Sequence, residues 1–297
     1  MNSRTISVDG RPVHLAGFGG DGEPMVLVHG LGGSHVNWLA VGPRLASRFA
    51  VTAPDLAGFG LTEPLGRSTS VDANARLLES LLAGLGRPAV LVGNSMGGLV
   101  SMTVAARRPH LVRALVLVDP ALPAPITARR DLVVLGAFLT YAVPGLGEAY
   151  VRRRAQRLGP EGMVRETMKL CTNDIARIPP DVLEAHFELA RMRRGFAWAM
   201  EAYLEAARSV VFTLARRRRV ETMMRSITAP VLLIHGDSDR LVSLDAARAA
   251  ARMCPAWRFE VYEDTGHVPM LERPERFVES VLRFCGAESH DIAAAAR

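Results

Sequence analysis

Leu91–Gly98 reads LVGNSMGG. A run rich in Val and Leu gives way here to a helix-spaced segment, with Ser95 at the changeover, Gly93 two residues before it and Gly97 two after. A serine at the apex of a sharp strand-to-helix turn is held at strained backbone angles, and glycine is required wherever a Cβ would collide with the neighbouring element. The helix beginning near Met96 aims its free amides back at the serine, which favours negative charge developing there. Ser95 is therefore the candidate nucleophile.

Outward from this turn, apolar runs of the same kind recur at Met25–His29, Ala50–Pro54, Ala89–Gly93, Ala114–Val118 and Val231–His235, most of them followed by a helix-period segment. Strands buried on both faces have this composition, and a parallel sheet with helical crossovers buries them. A hairpin is predicted ahead of them, from Thr5–Val8 and Pro12–Phe18 around the Asp9-Gly10 pair. Behind them come a helix from about Ser243, a strand around Trp257–Tyr262 and a last helix over Pro274–Cys285. Residues 286–297 lack a partner pattern and read as a frayed tail. Between Pro120 and Ser226 helical spacing continues with no strand-like run of comparable quality. The expected organisation is an α/β core of residues 1–120 and 227–297, with a helical cap, residues 121–226, inserted into it.

Three further motifs lie at or just past strand ends. HGLGG, His29–Gly33, directly follows the run MVLV, and its glycines let backbone amides approach a substrate oxygen. The amides of Leu31 and Met96 are the candidate oxyanion hole, whose single donors are typically worth about 3–4 kcal/mol. His29 itself reads as a loop-tying residue. HGDSDRLV, His235–Val242, offers Asp237 and Asp239. Asp239 is the candidate acid, with Asp237 and Asp119 as alternatives, while His235 reads as a core or loop histidine. His267, in TGHVPMLERPERF before the last helix, is the candidate base. Ser95, Asp239 and His267 follow the chain order nucleophile, acid, base.

At 297 residues, 49% hydrophobic and 22% charged, the chain has the composition of a folded globular protein. All 36 basic residues except Lys169 are Arg, and residues 121–226 hold 18 of them against 11 acidic residues. A charge confined to one segment is not a general nucleic-acid signal. The Arg clusters at 152–154, 191–194 and 216–219 read as solvated helix faces, with an anionic group or an acidic membrane surface as the alternative. Cys171, Cys254 and Cys285 form no CxxC pair, which argues against a disulfide framework or a thiolate metal site. The N-terminal residues have no signal-peptide pattern, and a cytoplasmic protein is expected. The longest apolar stretch, Leu132–Gly147, contains Pro144 and spans 16 residues, short of the roughly 20 needed to cross a membrane. It reads as a buried or lid-forming helix, and stable membrane insertion is not expected. No metal-ligand spacing such as HExxH occurs.

Taken in order, HGLGG, DLAGFGLTE at Asp55–Glu63, GNSMGG, GDSDRLV and GHVPMLERP resemble the cap-bearing α/β-hydrolase superfamily in its esterase, lipase and carbon–carbon-bond hydrolase branch. The resemblance covers about residues 5–285 and implies an α/β-hydrolase fold with a mostly parallel sheet and a mechanism without metal or cofactor. His267 would take the Ser95 proton, the alkoxide would attack an ester carbonyl, and Asp239 would fix the imidazole tautomer. Asp55 and Gly58 read as loop-shaping. Serine at position 95 departs from the epoxide hydrolases and haloalkane dehalogenases, which attack with a carboxylate. Meta-cleavage-product hydrolases share a GNSMGG-like turn but commonly carry Trp directly after the catalytic histidine, where this chain has Val268. The expected substrate is a small hydrophobic ester of short to medium chain length. Carbon–carbon hydrolysis and a non-catalytic small-molecule receptor are the alternatives. Phe138, Tyr141 and Trp198, with others in Leu132–Val143 and with Phe196, Met200, Phe212 and Leu214, are candidates to line an acyl pocket, against the competing reading of ordinary packing.

Overall fold

Asp9 and Gly10 both take positive φ, 51° and 74°, the backbone of a two-residue hairpin turn that matches strand twist. They join β1 (Asn2–Val8) to β2 (Arg11–Gly19), paired antiparallel with Val8 opposite Arg11. The computed structural model describes residues 1–125, 128 and 131–295. The chain continues through β3 (Glu23–Val28), a 3-10 turn (His35–Trp38), α1 (Gly42–Leu45), β4 (Phe49–Pro54), α2 (Val71–Ala83), β5 (Ala89–Asn94), α3 (Met96–Arg107) and β6 (Val112–Val118).

Among the described residues five α-helices then intervene, α4 (Leu132–Ala142), α5 (Leu146–Cys171), α6 (Pro180–Arg193), α7 (Ala199–Ala215) and α8 (Arg217–Arg225), with a 3-10 turn (Ile175–Arg177) between α5 and α6. Gly159, at φ 65°, kinks α5 just before Pro160, which has no amide to continue the helical ladder. The alternation resumes with β7 (Val231–Gly236), α9 (Leu244–Met253), β8 (Arg258–Tyr262), α10 (Pro269–Glu272) and α11 (Pro274–Ala295). Ser243 caps α9 by accepting the Asp245 amide at 3.1 Å. The last helix runs ten residues past Cys285, through the stretch read from sequence as a frayed tail. Ala and Glu in that stretch are strong helix formers, and absence of an apolar stripe removes a packing partner without removing the helix. Residues 296 and 297 lie outside the described residues.

Among the described residues eight strands form one sheet, ordered β1-β2-β4-β3-β5-β6-β7-β8, antiparallel at its first two pairings and parallel from β4 to β8. Alternate residues feed opposite faces. Leu91, Leu115 and Leu117 pack on one side with α2 and α3, while Val90, Val92 and Val116 pack on the other with Trp38 and α11. Both faces are covered, which explains the continuous apolar runs. From β3 the chain turns one way to β4 and afterwards crosses to β5 on the opposite side, so the carboxyl ends of β3 and β5 flank the crevice where an open α/β sheet binds ligands.

Candidate active site

β5 runs into α3 through a single residue, Ser95, at φ 54° and ψ −119°. A side-chain-bearing residue tolerates that region only when its surroundings enforce it. Three backbone bonds do so: the Ser95 amide donates to Val118 O at 3.0 Å, and its carbonyl accepts the amides of Ala121 at 3.0 Å and Leu99 at 3.2 Å. A Cβ at Gly93 would lie 2.6 Å from the Gly97 carbonyl oxygen and 2.7 Å from Ser101 Oγ, and one at Gly97 would strike the carbonyls of Val28 and His29. Small residues here let α3 start directly against β3 and β5.

Val28 pairs with Gly93, so the residues after β3 sit beside Ser95. A Cβ at Gly30 would be 3.0 Å from Ser95 Cβ. The turn beyond closes with the Gly33 amide on Gly30 O at 3.1 Å, and Gly32 takes φ 74°. Leu31 lies within this turn, and Met96 opens α3, where a first-turn amide has no intrahelical acceptor. His29 ties the turn down as expected, with Nδ1–H donating to Gly30 O at 2.8 Å and Nε2 accepting the Leu56 amide at 3.0 Å. Burial lowers its pKa to about 4, which keeps Nε2 an acceptor at neutral pH.

His267 and Asp239 meet 28 residues apart in sequence: Nδ1–H of the imidazole donates to Asp239 Oδ2 at 2.7 Å. The other carboxylate oxygen accepts the amides of Leu241 at 2.7 Å and Val242 at 3.0 Å. Burial alone would favour a neutral Asp239, but His267 beside it and these amides hold its pKa below the ordinary value. With Nδ1 committed, Nε2 is the imidazole nitrogen left to serve as a base. The backbone of His267 is fixed at both ends, its amide donating to Cys171 O at 2.6 Å and its carbonyl accepting Asn94 Nδ2 at 3.0 Å.

Of the two alternative acids, Asp237 is exposed and accepts hydrogen bonds from the Ser238 hydroxyl in its own loop and from the Thr265 amide in the loop after β8. Asp119 is fully buried at the end of β6, with Oδ1 accepting the Gly236 amide at 2.9 Å. Burial, reinforced by the charge of Asp239, pushes its carboxyl well above the usual range. His235 donates Nε2–H to Val242 O at 2.9 Å and so shapes the acid loop. Only Asp239 of the three carboxylates hydrogen-bonds His267.

A family model described as the alpha/beta hydrolase family matches residues 25–280 of this chain. The chain belongs to the alpha/beta hydrolase family. Among its relatives is a 2-hydroxy-6-oxo-2,4-heptadienoate hydrolase of Pseudomonas putida, 29% identical over 91% of this chain and 91% of that protein. Another is a pimeloyl-[acyl-carrier protein] methyl ester esterase of Aromatoleum aromaticum, 30% identical over 87% of this chain and 98% of that protein. A putative lipase of Acinetobacter baumannii shares the fold, with TM-score 0.78 at 21% identity, covering 98% of this chain and 92% of the other.

In this hydrolase the helices between β6 and β7 touch the site at places the sequence did not signal. Tyr203 of α7 stands over the turn after β3, its Cε2 3.2 Å from where a Gly32 Cβ would be, and burial pushes its phenol pKa up. Glu272 bridges two segments, accepting the Gly266 amide at 2.6 Å on one oxygen and the amides of Asn173 at 2.9 Å and Asp174 at 3.1 Å on the other. It thereby fastens the end of α5 to the His267 loop. Phe138 and Tyr141 pack in a small cluster with Leu204, Tyr203 and Leu31, beside the candidate oxyanion turn. Trp198 sits apart, stacked on Phe196 at 5.0 Å with Arg193 above it at 5.1 Å.

The 191–194 cluster is not uniformly a solvated face. Arg191 pairs with Glu161 and Glu184, while the half-buried Arg193 donates to Gly60 O at 2.5 Å and Gly58 O at 3.3 Å. Those glycines belong to the Asp55 loop, whose carboxylate accepts the amides of His35 at 2.7 Å and Leu61 at 2.8 Å. His14 Nδ1 and His35 Nδ1 lie 2.8 Å and 3.0 Å from it, and Ser3 hydrogen-bonds His14 on its other nitrogen. Burial opposes ionisation of Asp55, yet the two imidazoles hold it below the ordinary carboxylate range. Each of the sets His14–His35–Asp55 and Asp119–His235–Asp239 places three donor atoms within 4.8 Å. Asp55 and Asp239 in them are already taken up by backbone amides, the arrangement of a structural or orienting carboxylate.

Proposed function

We propose that this hydrolase is a serine esterase cleaving a small hydrophobic carboxylic ester of short to medium chain length through an acyl-enzyme. The observation that carries this is the strained Ser95 turn standing at the same sheet edge as the Asp239–His267 pair, linked to it by the Asn94–His267 bond. His267 Nε2 takes the Ser95 proton, Oγ attacks the carbonyl carbon, and the oxyanion gathers the amides of Leu31 and Met96. His267 then delivers its proton to the leaving alcohol. Water repeats the sequence on the acyl-enzyme and releases the acid.

Residues 121–226 act as a cap in this proposal, placing Phe138 and Tyr141 against the turn that holds Leu31 and so offering an apolar wall for the acyl group. Trp198, stacked on Phe196 beside Arg193, stands further from that wall and is the weakest of the three lining candidates. A second reading, carbon–carbon hydrolysis of a vinylogous diketone acid, is supported by the likeness to the Pseudomonas putida heptadienoate hydrolase. Val268 in place of a tryptophan after His267 weighs against it.

The test is hydrolysis of a p-nitrophenyl ester series from acetate to palmitate by wild type and Ser95→Ala. Multiple turnover with a short- to medium-chain optimum, and a loss on the order of a million-fold in Ser95→Ala, is expected. Inactivity on every ester, with turnover of a dienoic diketone acid, would replace the ester reading by the carbon–carbon one. Binding without turnover of either would favour the receptor.

A further inference from the structure

One side of α4 is packed and the other is bare. Tyr141 is buried against Leu204 and Ala207 of α7 and Val134 is buried as well, whereas Leu132 is 79% exposed, Val133 72% and Leu139 58%. The eleven residues LVVLGAFLTYA contain no charge, so this helix is apolar on its solvent side as well as its core side. A helix apolar all round normally has a second partner, and a continuous apolar patch on an otherwise polar surface marks an interaction site.

Exposed apolar residues also open α5. Leu146 is 55% exposed and Tyr150 39%, and residues 146, 150, 153 and 157 fall at helical spacing on one stripe. That stripe changes from Leu146 and Tyr150 to Arg153 and Arg157, both exposed. Among the described residues no carboxylate pairs with either arginine. The nearby acids are engaged elsewhere, Asp131 with Arg240 and Glu148 with Arg208.

We infer that the outer face of α4, with the Leu146–Arg157 stripe of α5, docks this protein peripherally on an anionic phospholipid surface. Apolar side chains beside unpaired cations are what a hydrocarbon–phosphate boundary complements: Leu132, Val133 and Leu139 enter the acyl boundary while Arg153 and Arg157 reach phosphates. A second copy of the chain fits less well. A two-fold contact on this face would bring two arginine stripes together with no free carboxylate to offset them. Among the described residues no helix is long and apolar enough to cross a membrane, and docking needs none. The inference stands independently of the ester chemistry, because binding is read without turnover.

The experiment is co-sedimentation of the full chain with vesicles of phosphatidylcholine alone or with about one third phosphatidylglycerol, at low salt and at about 0.5 M salt. Wild type should pellet with the anionic vesicles at low salt and be released by salt. The double variants Leu132→Asp/Leu139→Asp and Arg153→Glu/Arg157→Glu should each lose at least about tenfold in partitioning while keeping wild-type melting temperature, and Arg153→Glu/Arg157→Glu should also keep wild-type hydrolysis of a soluble ester. Failure of wild type to pellet, equal binding to neutral vesicles, or undiminished binding by both variants would overturn it. So would a dimer in sedimentation velocity that Leu132→Asp/Leu139→Asp dissociates while vesicle binding is absent, which would assign the face to self-association.

Discussion

Gly93→Ala tests whether the tight approach of α3 to β5 is what builds the nucleophile turn. The added Cβ would lie 2.6 Å from the Gly97 carbonyl oxygen and 2.7 Å from Ser101 Oγ, whereas real Cβ contacts start near 3.0 Å and are comfortable from 3.4 Å. Ser101 can rotate away; the Gly97 carbonyl, in the first turn of α3, cannot. Relief therefore requires the start of α3 to move off β5 by about 0.4–0.8 Å, the difference between those distances. Overpacking of this kind costs about 1–3 kcal/mol. The same displacement carries the Met96 amide and Ser95 Oγ away from the reacting carbonyl, and misplacement approaching 1 Å costs up to about a hundredfold in rate. Urea unfolding and kcat on p-nitrophenyl butyrate measure both, with Gly136→Ala as control. A Cβ at Gly136 meets nothing within 4 Å, and alanine inside α4 should stabilise by about 0.5–1 kcal/mol. Gly93→Ala with stability within about 0.5 kcal/mol of wild type and unchanged kcat would refute the packing argument.

Asp239→Asn should lower kcat by about 10⁴-fold by presenting the wrong hydrogen-bonding group to His267, whereas Asp119→Asn, replacing a carboxyl already held towards its neutral form, should change it by less than about tenfold; steady-state kinetics on one ester separates the two. His186, buried with Nε2 unpartnered, has its pKa lowered by burial from 6.5 to about 4. Its unfolded form binds a proton that its folded form refuses, so its contribution is complete above pH 6.5 and is lost as pH falls towards 4. His186→Gln should flatten the acid side of a stability profile by up to about 1.4 kcal/mol per pH unit in that window, and a parallel profile would contradict the assignment. Arg193→Met removes the donors to Gly58 and Gly60 and should cost about 1–3 kcal/mol in a urea melt.

Strands β3, β5, β6 and β7 were legible because burial on both faces writes each as an apolar run, whereas the edge strand β8, RFEVY, is only part-buried and carries no such run; the Asp9-Gly10 hairpin was legible because positive φ at two successive residues selects such a pair. The candidate site was legible where chemistry and backbone strain coincide, at Ser95 with its glycines and at the histidine and aspartate in their loops. Sequence favoured Asp239 over Asp237 and Asp119 for its place beyond the turn, and of the three only Asp239 hydrogen-bonds His267. The helices between β6 and β7 were the least legible. Their contacts run through backbone groups, such as the Cys171 carbonyl on the His267 amide, which leave no mark in residue type. Arg193 was hidden inside a charge run, because a guanidinium that caps two carbonyls and one in water have the same letter. Tyr203 sits at ordinary helical spacing, and only the missing side chain of Gly32 opposite it reveals why both are there.

The central claim, that Ser95 is an activated nucleophile served by His267, is tested most directly by intact-mass analysis after reaction with a fluorophosphonate, followed by peptide mapping. A single adduct on the peptide carrying Ser95, absent in Ser95→Ala and formed far more slowly in His267→Ala, is expected. An unlabelled wild-type protein, or a label on another residue that persists in Ser95→Ala, would contradict it.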